Sequence, residues 1–79
     1  MTDAPFDAFL FEYSRPDANS PGGMLKVRYM AVKQSLKEAR KAVVVMIGRL
    51  EDVRLVDSGP AVLRDALERG FRDGDARAL

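Results

Sequence analysis

The sequence contains neither cysteine nor histidine among its 79 residues. The missing cysteines exclude disulfides, and the two absences together remove the strongest zinc ligands. We expect the range 1–79 to form one domain, which would bury only about 60–65% of the surface that its unfolded chain exposes. Because small domains usually need a staple, stability should come from helix packing or from self-association, a homodimer being one such arrangement.

Long apolar runs are also missing. The longest, 42–47, is far shorter than the ~20 residues that cross a bilayer. The acidic start of the sequence lacks the basic and apolar regions of a signal peptide. We therefore expect a cytoplasmic protein with no membrane partner. The hydrophobic fraction of 47% is typical of a folded domain rather than of a disordered chain.

Residue patterns that indicate catalysis are absent as well. The segment 57–60 is similar to the surroundings of a serine nucleophile, but no histidine can serve as the base for Ser58. The acidic pairs in 51–52 and 73–75 fall at the start of the predicted third strand and in the predicted tail, where the burial that catalytic carboxylates need is not expected. Gly22-Gly23 precedes a predicted strand and offers phosphate no helix N-terminus. The sequence predicts a protein that is not an enzyme and uses no cofactor.

The loop that starts at Asp17 begins like a calcium-binding EF-hand loop. Calcium requires several converging oxygen ligands, including a bidentate acid at the twelfth position of such a loop. That position is Arg28 here, and the fifth position is Pro21. We therefore interpret the segment as a hairpin loop and expect no metal site.

The formal net charge is only +1, too small to draw the whole chain to nucleic acid or anionic lipid. The charge is unevenly distributed, because the stretch 26–41 holds six basic residues and one acidic residue, Glu38. If the basic residues converge, about four to six cations would face one polyanion. An acidic protein surface would satisfy the same cations, and an ordinary solvated helix face is the alternative. The predicted partner-binding residues are Lys26, Arg28, Lys33, Lys37, Arg40 and Lys41.

Alternation of apolar and polar residues predicts two strands, 8–14 and 24–32. The loop between them makes the strands a hairpin. Within it, Ser20-Pro21-Gly22-Gly23 suits a type II turn, because proline fixes φ and glycine accepts the positive φ that follows.

The next segment predicts a helix over 36–47. Ser35 and Glu38 fit a capping box at its start, and Gly48 is a natural residue to end it. The run 43–47 also has strand propensity, so the assignment depends on the cap and on the helical spacing of the apolar residues.

A third strand is predicted over 51–57, followed by a second helix that starts at Pro60 and ends at Gly70. The order ββαβα indicates a small two-layer α+β domain, with a three-stranded sheet and two helices on one face. A right-handed crossover would make the third strand parallel to the second. We expect a flexible leader (1–7), a folded core (8–71) and a frayed tail (72–79).

One sheet face would then be open. The side opposite the aromatic residues Phe9, Phe11 and Tyr13 carries several apolar residues, and exposed methionine and leucine often mark protein contacts. Cover by the leader through Phe6 is the alternative. The residues of this predicted apolar interface are Leu10, Met24, Met30 and Val32.

The run 26–43 reads KVRYMAVKQSLKEARKAV, a strand that passes directly into a Ser-capped helix. It resembles the strand-to-helix unit of many very short phage and plasmid proteins, including some anti-CRISPR and other anti-defence inhibitors. The resemblance implies stoichiometric binding to a host protein complex without catalysis. It covers about a quarter of the chain and implies no site residues.

Our first hypothesis is a non-enzymatic stoichiometric binding protein, for example a mobile-element inhibitor that blocks a host protein or nucleoprotein complex. The basic stretch 26–41 would dock on an acidic surface or on one that normally holds nucleic acid. A small dimeric nucleic-acid-binding regulator is the second hypothesis, and a structural subunit that assembles through a sheet edge is the third. A steep salt dependence of binding would distinguish the nucleic-acid regulator.

Overall fold

A four-stranded antiparallel sheet organises the chain in the computed structural model, which describes residues 5–48 and 53–79. The sheet order is β3-β1-β2-β4, so β2 and β3 both run antiparallel to β1 and are parallel to each other, as predicted. Among the described residues, no helix is long and apolar enough to span a membrane. The elements are β1 (Asp7–Pro16), β2 (Met24–Lys33), α1 (Leu36–Ile47), β3 (Val53–Ser58), α2 (Pro60–Glu68) and β4 (Ala76–Ala78).

The predicted hairpin is confirmed. β1 and β2 pair from Asp7↔Lys33 to Pro16↔Met24. In the loop, Gly22 has φ 74° and ψ 4°, the values of the third residue of a type II turn. The N–H of Gly23 donates to the carbonyl of Ser20 at 2.9 Å and closes this turn.

The predicted bounds of the first helix are also confirmed. The Ser35 hydroxyl accepts a hydrogen bond from the backbone N–H of Glu38 at 3.2 Å. At the other end, Gly48 has φ 82° and donates its N–H to the carbonyl of Val44 at 2.7 Å. The helix includes the run 43–47. Val43 is buried against the sheet on the same side of the helix as Ala39.

The two helices pack on opposite faces of the sheet, so the predicted arrangement with both helices on one face is wrong. Ala39 and Val43 of α1 pack against the aromatic face of β1. Val62 and Ala66 of α2 pack against the other face, where β1 contributes Ala8. The physical reason is that the first half of β1 is apolar on both sides, and cover on one side alone would leave the other side in water.

Within residues 5–48 and 53–79, the sheet has four strands rather than the predicted three. β4 lies within 72–79, the segment predicted as a frayed tail, and pairs with β2 from Tyr29↔Ala78 to Ala31↔Ala76. Alanine and arginine give this short strand little intrinsic β-propensity. Backbone hydrogen bonds hold the segment, and one of them joins the Leu79 N–H to the Arg28 carbonyl at 2.8 Å. In the predicted third strand, 51–52 lies outside the described residues.

The predicted open apolar face is mostly covered. Met30 and Val32 are buried beneath α2, and Leu10 is partly buried in the same cluster. Phe6 also packs against this cluster, which was the alternative form of cover. Of the predicted interface residues, Met24 alone is exposed, at 45%.

Substitutions of two methionines on β2 test the position of α2. Met24 and Met30 share a sheet face, but Met30 is 1% exposed and Met24 is 45% exposed. Met30→Ala should lower the free energy of unfolding by about 2–5 kcal/mol, whereas Met24→Ala should change it by no more than about 0.5 kcal/mol. Urea denaturation measures both, and equal losses would contradict the position of α2. Met30→Leu conserves volume and should cost less than about 1.5 kcal/mol.

Candidate binding surfaces

The six predicted partner-binding residues lie on two separate surfaces. Side chains alternate between the faces of a strand. Lys26 and Arg28 therefore lie on the same face as Met30, the α2 face of the sheet. Lys33 lies on the α1 face and lines a groove beside α1. The structure therefore does not bring the six residues together, and their role in binding stays a prediction.

The outer side of α1 combines cations with apolar side chains. Burial of Ala39 and Val43 turns Lys37, Lys41 and Val45 outward, at successive spacings of four residues. Val45 is 74% exposed. We call Lys33, Lys37, Lys41, Val45 and Met46 the α1 surface.

An open groove of about 710 Å³ runs along the α1 surface. Its cations are Lys33 and Lys41, and they are accompanied by the acidic residue Glu38. The groove thus offers a partner both apolar contact and positive charge. Its apolar lining residues are Phe6, Ala42, Val45, Met46 and Ala76.

Arg40 is tied to the fold more closely than the lysines of α1. Its guanidinium carbon lies 5.7 Å from the centroid of the Phe11 ring, within the range of a cation–π contact. Its Nη1 donates to the carbonyl of Val53 at 3.1 Å. Arg40 also lines a smaller groove of about 290 Å³ with Lys37 and Lys41. Its main described contacts connect α1 to β1 and β3.

On the other face of the sheet, a buried glutamate forms ion pairs with three basic side chains. Glu12 is 5% exposed and lies directly opposite Arg28 on β2 and Arg54 on β3. Arg54 Nη2 donates to Glu12 Oε1 at 3.1 Å. Arg28 Nε is 3.5 Å from Oε2, and Lys26 Nζ is 4.0 Å from Oε1. We call Glu12, Lys26, Arg28 and Arg54 the strand patch.

The cations of the strand patch lower the pKa of Glu12. Burial raises the pKa of this carboxyl, but the hydrogen bond and charge of Arg54 and the charges of Lys26 and Arg28 outweigh it, so the pKa lies below its ordinary value. The cations themselves are 67%, 56% and 71% exposed at Lys26, Arg28 and Arg54. Water therefore screens these ion pairs, and each contributes modestly to stability.

The sequence predicted Lys26 and Arg28 as partner-binding residues, but this prediction did not include Arg54 or the central position of Glu12. The apolar neighbours Val53 and Leu55 do predict that Arg54 points the opposite way. The missing information was the register of β3, which places Arg54 beside Glu12. That register depends on the packing of β3 against β1 and not on any local motif.

Comparison with protein-family models, curated proteins and solved structures found no match to this chain. The resemblance of 26–43 to small inhibitor proteins stays a prediction. The chemistry of the two surfaces is therefore what indicates a function for this chain.

Removal of the Glu12 charge should change the dependence of stability on pH. Because the folded-state pKa is lowered, the ionised carboxylate stabilises the fold above the unfolded-state pKa of about 4.3. This contribution is lost as the pH falls through the folded-state pKa. Glu12→Gln should therefore lower the melting temperature at pH 7, and the difference from the wild type should disappear in strong acid.

Calorimetric melts across the acidic range measure this effect. Glu68→Gln makes the same change at an exposed position of α2 and should alter the free energy of unfolding by no more than about 0.5 kcal/mol. Parallel pH curves for the wild type and Glu12→Gln would contradict the stabilising role of the carboxylate.

Proposed function

We propose that this protein is a non-enzymatic binding protein that holds an acidic, amphipathic segment of a partner protein on the α1 surface. One observation carries the proposal, namely that exposed apolar side chains and lysines line the same groove. When one molecule of the protein binds such a segment, the partner can no longer use that segment to bind other molecules, as expected of an inhibitor.

The apolar side chains support a protein partner. Val45 and Met46 are 74% and 45% exposed although they lie on a folded helix. Full burial of a valine or methionine side chain contributes about 1.5–3 kcal/mol, so a partner that covers them gains affinity. Phosphate groups would gain nothing from this part of the groove.

The charges of the α1 surface specify what kind of segment fits. Among the described residues, the lining of this groove holds Lys33 and Lys41 against one acidic residue, Glu38, so its charge is positive. Lys37 adds a further cation from the neighbouring groove. Positive potential speeds association with acidic partners and disfavours basic ones. An amphipathic helix with apolar residues on one face and acidic residues beside them matches this pattern, as in other helix-in-groove complexes.

Three amphipathic helical peptides of about 15 residues test the proposal. All three carry the same leucine stripe, and the flanking positions are Glu in the first, Gln in the second and Lys in the third. Isothermal titration calorimetry should show the tightest binding for the Glu peptide and the weakest for the Lys peptide. The reverse order, or no binding of any peptide, would disprove the proposal.

Matched variants locate the site. Val45→Asp should weaken binding of the Glu peptide by at least about tenfold, equal to about 1.4 kcal/mol. Leu67→Asp introduces the same kind of change at a 55% exposed position of α2 and should leave the affinity unchanged. Equal losses in both variants would place the site elsewhere. The solution mass, measured on the same samples, tests assembly of the chain with itself.

A further inference from the structure

The strand patch occupies the part of the sheet face that α2 leaves uncovered. α2 packs over Met30 and Val32 of β2, and Lys26 and Arg28 lie farther along the same face toward the hairpin loop. Arg54 joins them from β3, across Glu12. Three cations and one carboxylate give the patch a local charge of +2.

The cations of the patch are held in place yet remain accessible. In the described part of the chain, their contacts with Glu12 use one nitrogen of each cation. A guanidinium carries five N–H donors, so most donors of Arg28 and Arg54 are uncommitted in these contacts. Side chains that are already oriented lose less conformational entropy when they bind.

The composition of the patch distinguishes its partner from that of the α1 surface. Protein interfaces have an apolar centre, but the centre of this patch is the carboxylate of Glu12 between two guanidinium groups. Contacts with phosphate depend on charge and on the paired N–H groups of arginine. Arg28 and Arg54 lie two strands apart, about 10 Å at the backbone, so they can reach separate phosphates.

The aromatic side chains of β1 lie on the opposite face. Phe9, Phe11 and Tyr13 are buried under α1, so the patch presents none of these rings to stack on unpaired bases. Contact with the phosphate backbone positions a protein without reading sequence. These features favour a duplex, in which the bases are already stacked.

We propose that the strand patch binds the phosphate backbone of duplex nucleic acid, independently of the protein-binding groove on the α1 surface. The protein would then have one surface for a partner protein and another for nucleic acid.

Fluorescence anisotropy with labelled mixed-sequence duplex DNA tests this proposal. Three phosphate contacts predict a log–log salt slope of about −2.7 and a loss of roughly 40-fold in affinity between about 50 and 200 mM salt. Arg28→Gln or Arg54→Gln should weaken binding and reduce the salt slope by about one. Arg64→Gln removes the same charge from an exposed position of α2 and should leave the slope unchanged.

Several results would overturn the proposal. These are absence of binding at low salt, equal losses with Arg28→Gln and Arg64→Gln, and equal or tighter binding to polyglutamate or to phosphatidylcholine–phosphatidylserine vesicles. If an arginine variant fails to fold, Lys26→Gln carries the same test, because its Nζ is 4.0 Å from Glu12 and its side chain is 67% exposed.

The same variants separate the two proposed sites. Val45→Asp should weaken peptide binding and preserve DNA binding, whereas Arg54→Gln should weaken DNA binding and preserve peptide binding. Loss of DNA binding in Val45→Asp with no loss in Arg54→Gln would assign the nucleic acid to the α1 surface and overturn the present proposal.

Discussion

The need to bury β1 on both faces determines the rest of the structure. The neighbouring strands β2 and β3 pair with the backbone N–H and C=O groups of β1. α1 covers the aromatic side of β1, and α2 covers Ala8 and the apolar cluster around it. α2 is shorter than the hairpin, and its cover ends before Glu12. A carboxylate on a central strand then needs cations from both adjacent strands, which is why Arg28 and Arg54 lie beside it. The strand patch is thus a consequence of how the core is covered.

Features that depend on neighbouring residues could be predicted from the sequence. The type II turn at Pro21 and Gly22 and the helix cap at Ser35 each need only a few consecutive residues. The layer arrangement could not be predicted correctly, because the strong aromatic alternation on one side of β1 masked the apolar residues on the other. β4 carries no local strand signal, and Arg54 joins the strand patch only through the long-range register of β3.

The two proposed sites differ in the physics that they use. On the α1 surface, exposed Val45 and Met46 would gain affinity from burial, and the lysines would select acidic partners. On the strand patch, charge alone would drive association, so salt should weaken DNA binding more than peptide binding. The α1 surface and the strand patch lie on opposite sides of the sheet, so a partner protein and a duplex could bind the same molecule at once.

The order in which the elements are synthesised gives the double cover of β1 a further meaning. The β1–β2 hairpin leaves the ribosome before either helix, and α2 and β4 follow later. During that interval Ala8, Met30 and Val32 have no cover, and both edges of the hairpin lack strand partners. Nascent chains with such surfaces are prone to aggregate. Lys26 and Arg28 interrupt the apolar surface near the hairpin loop and would act as gatekeepers that keep the unfinished chain soluble.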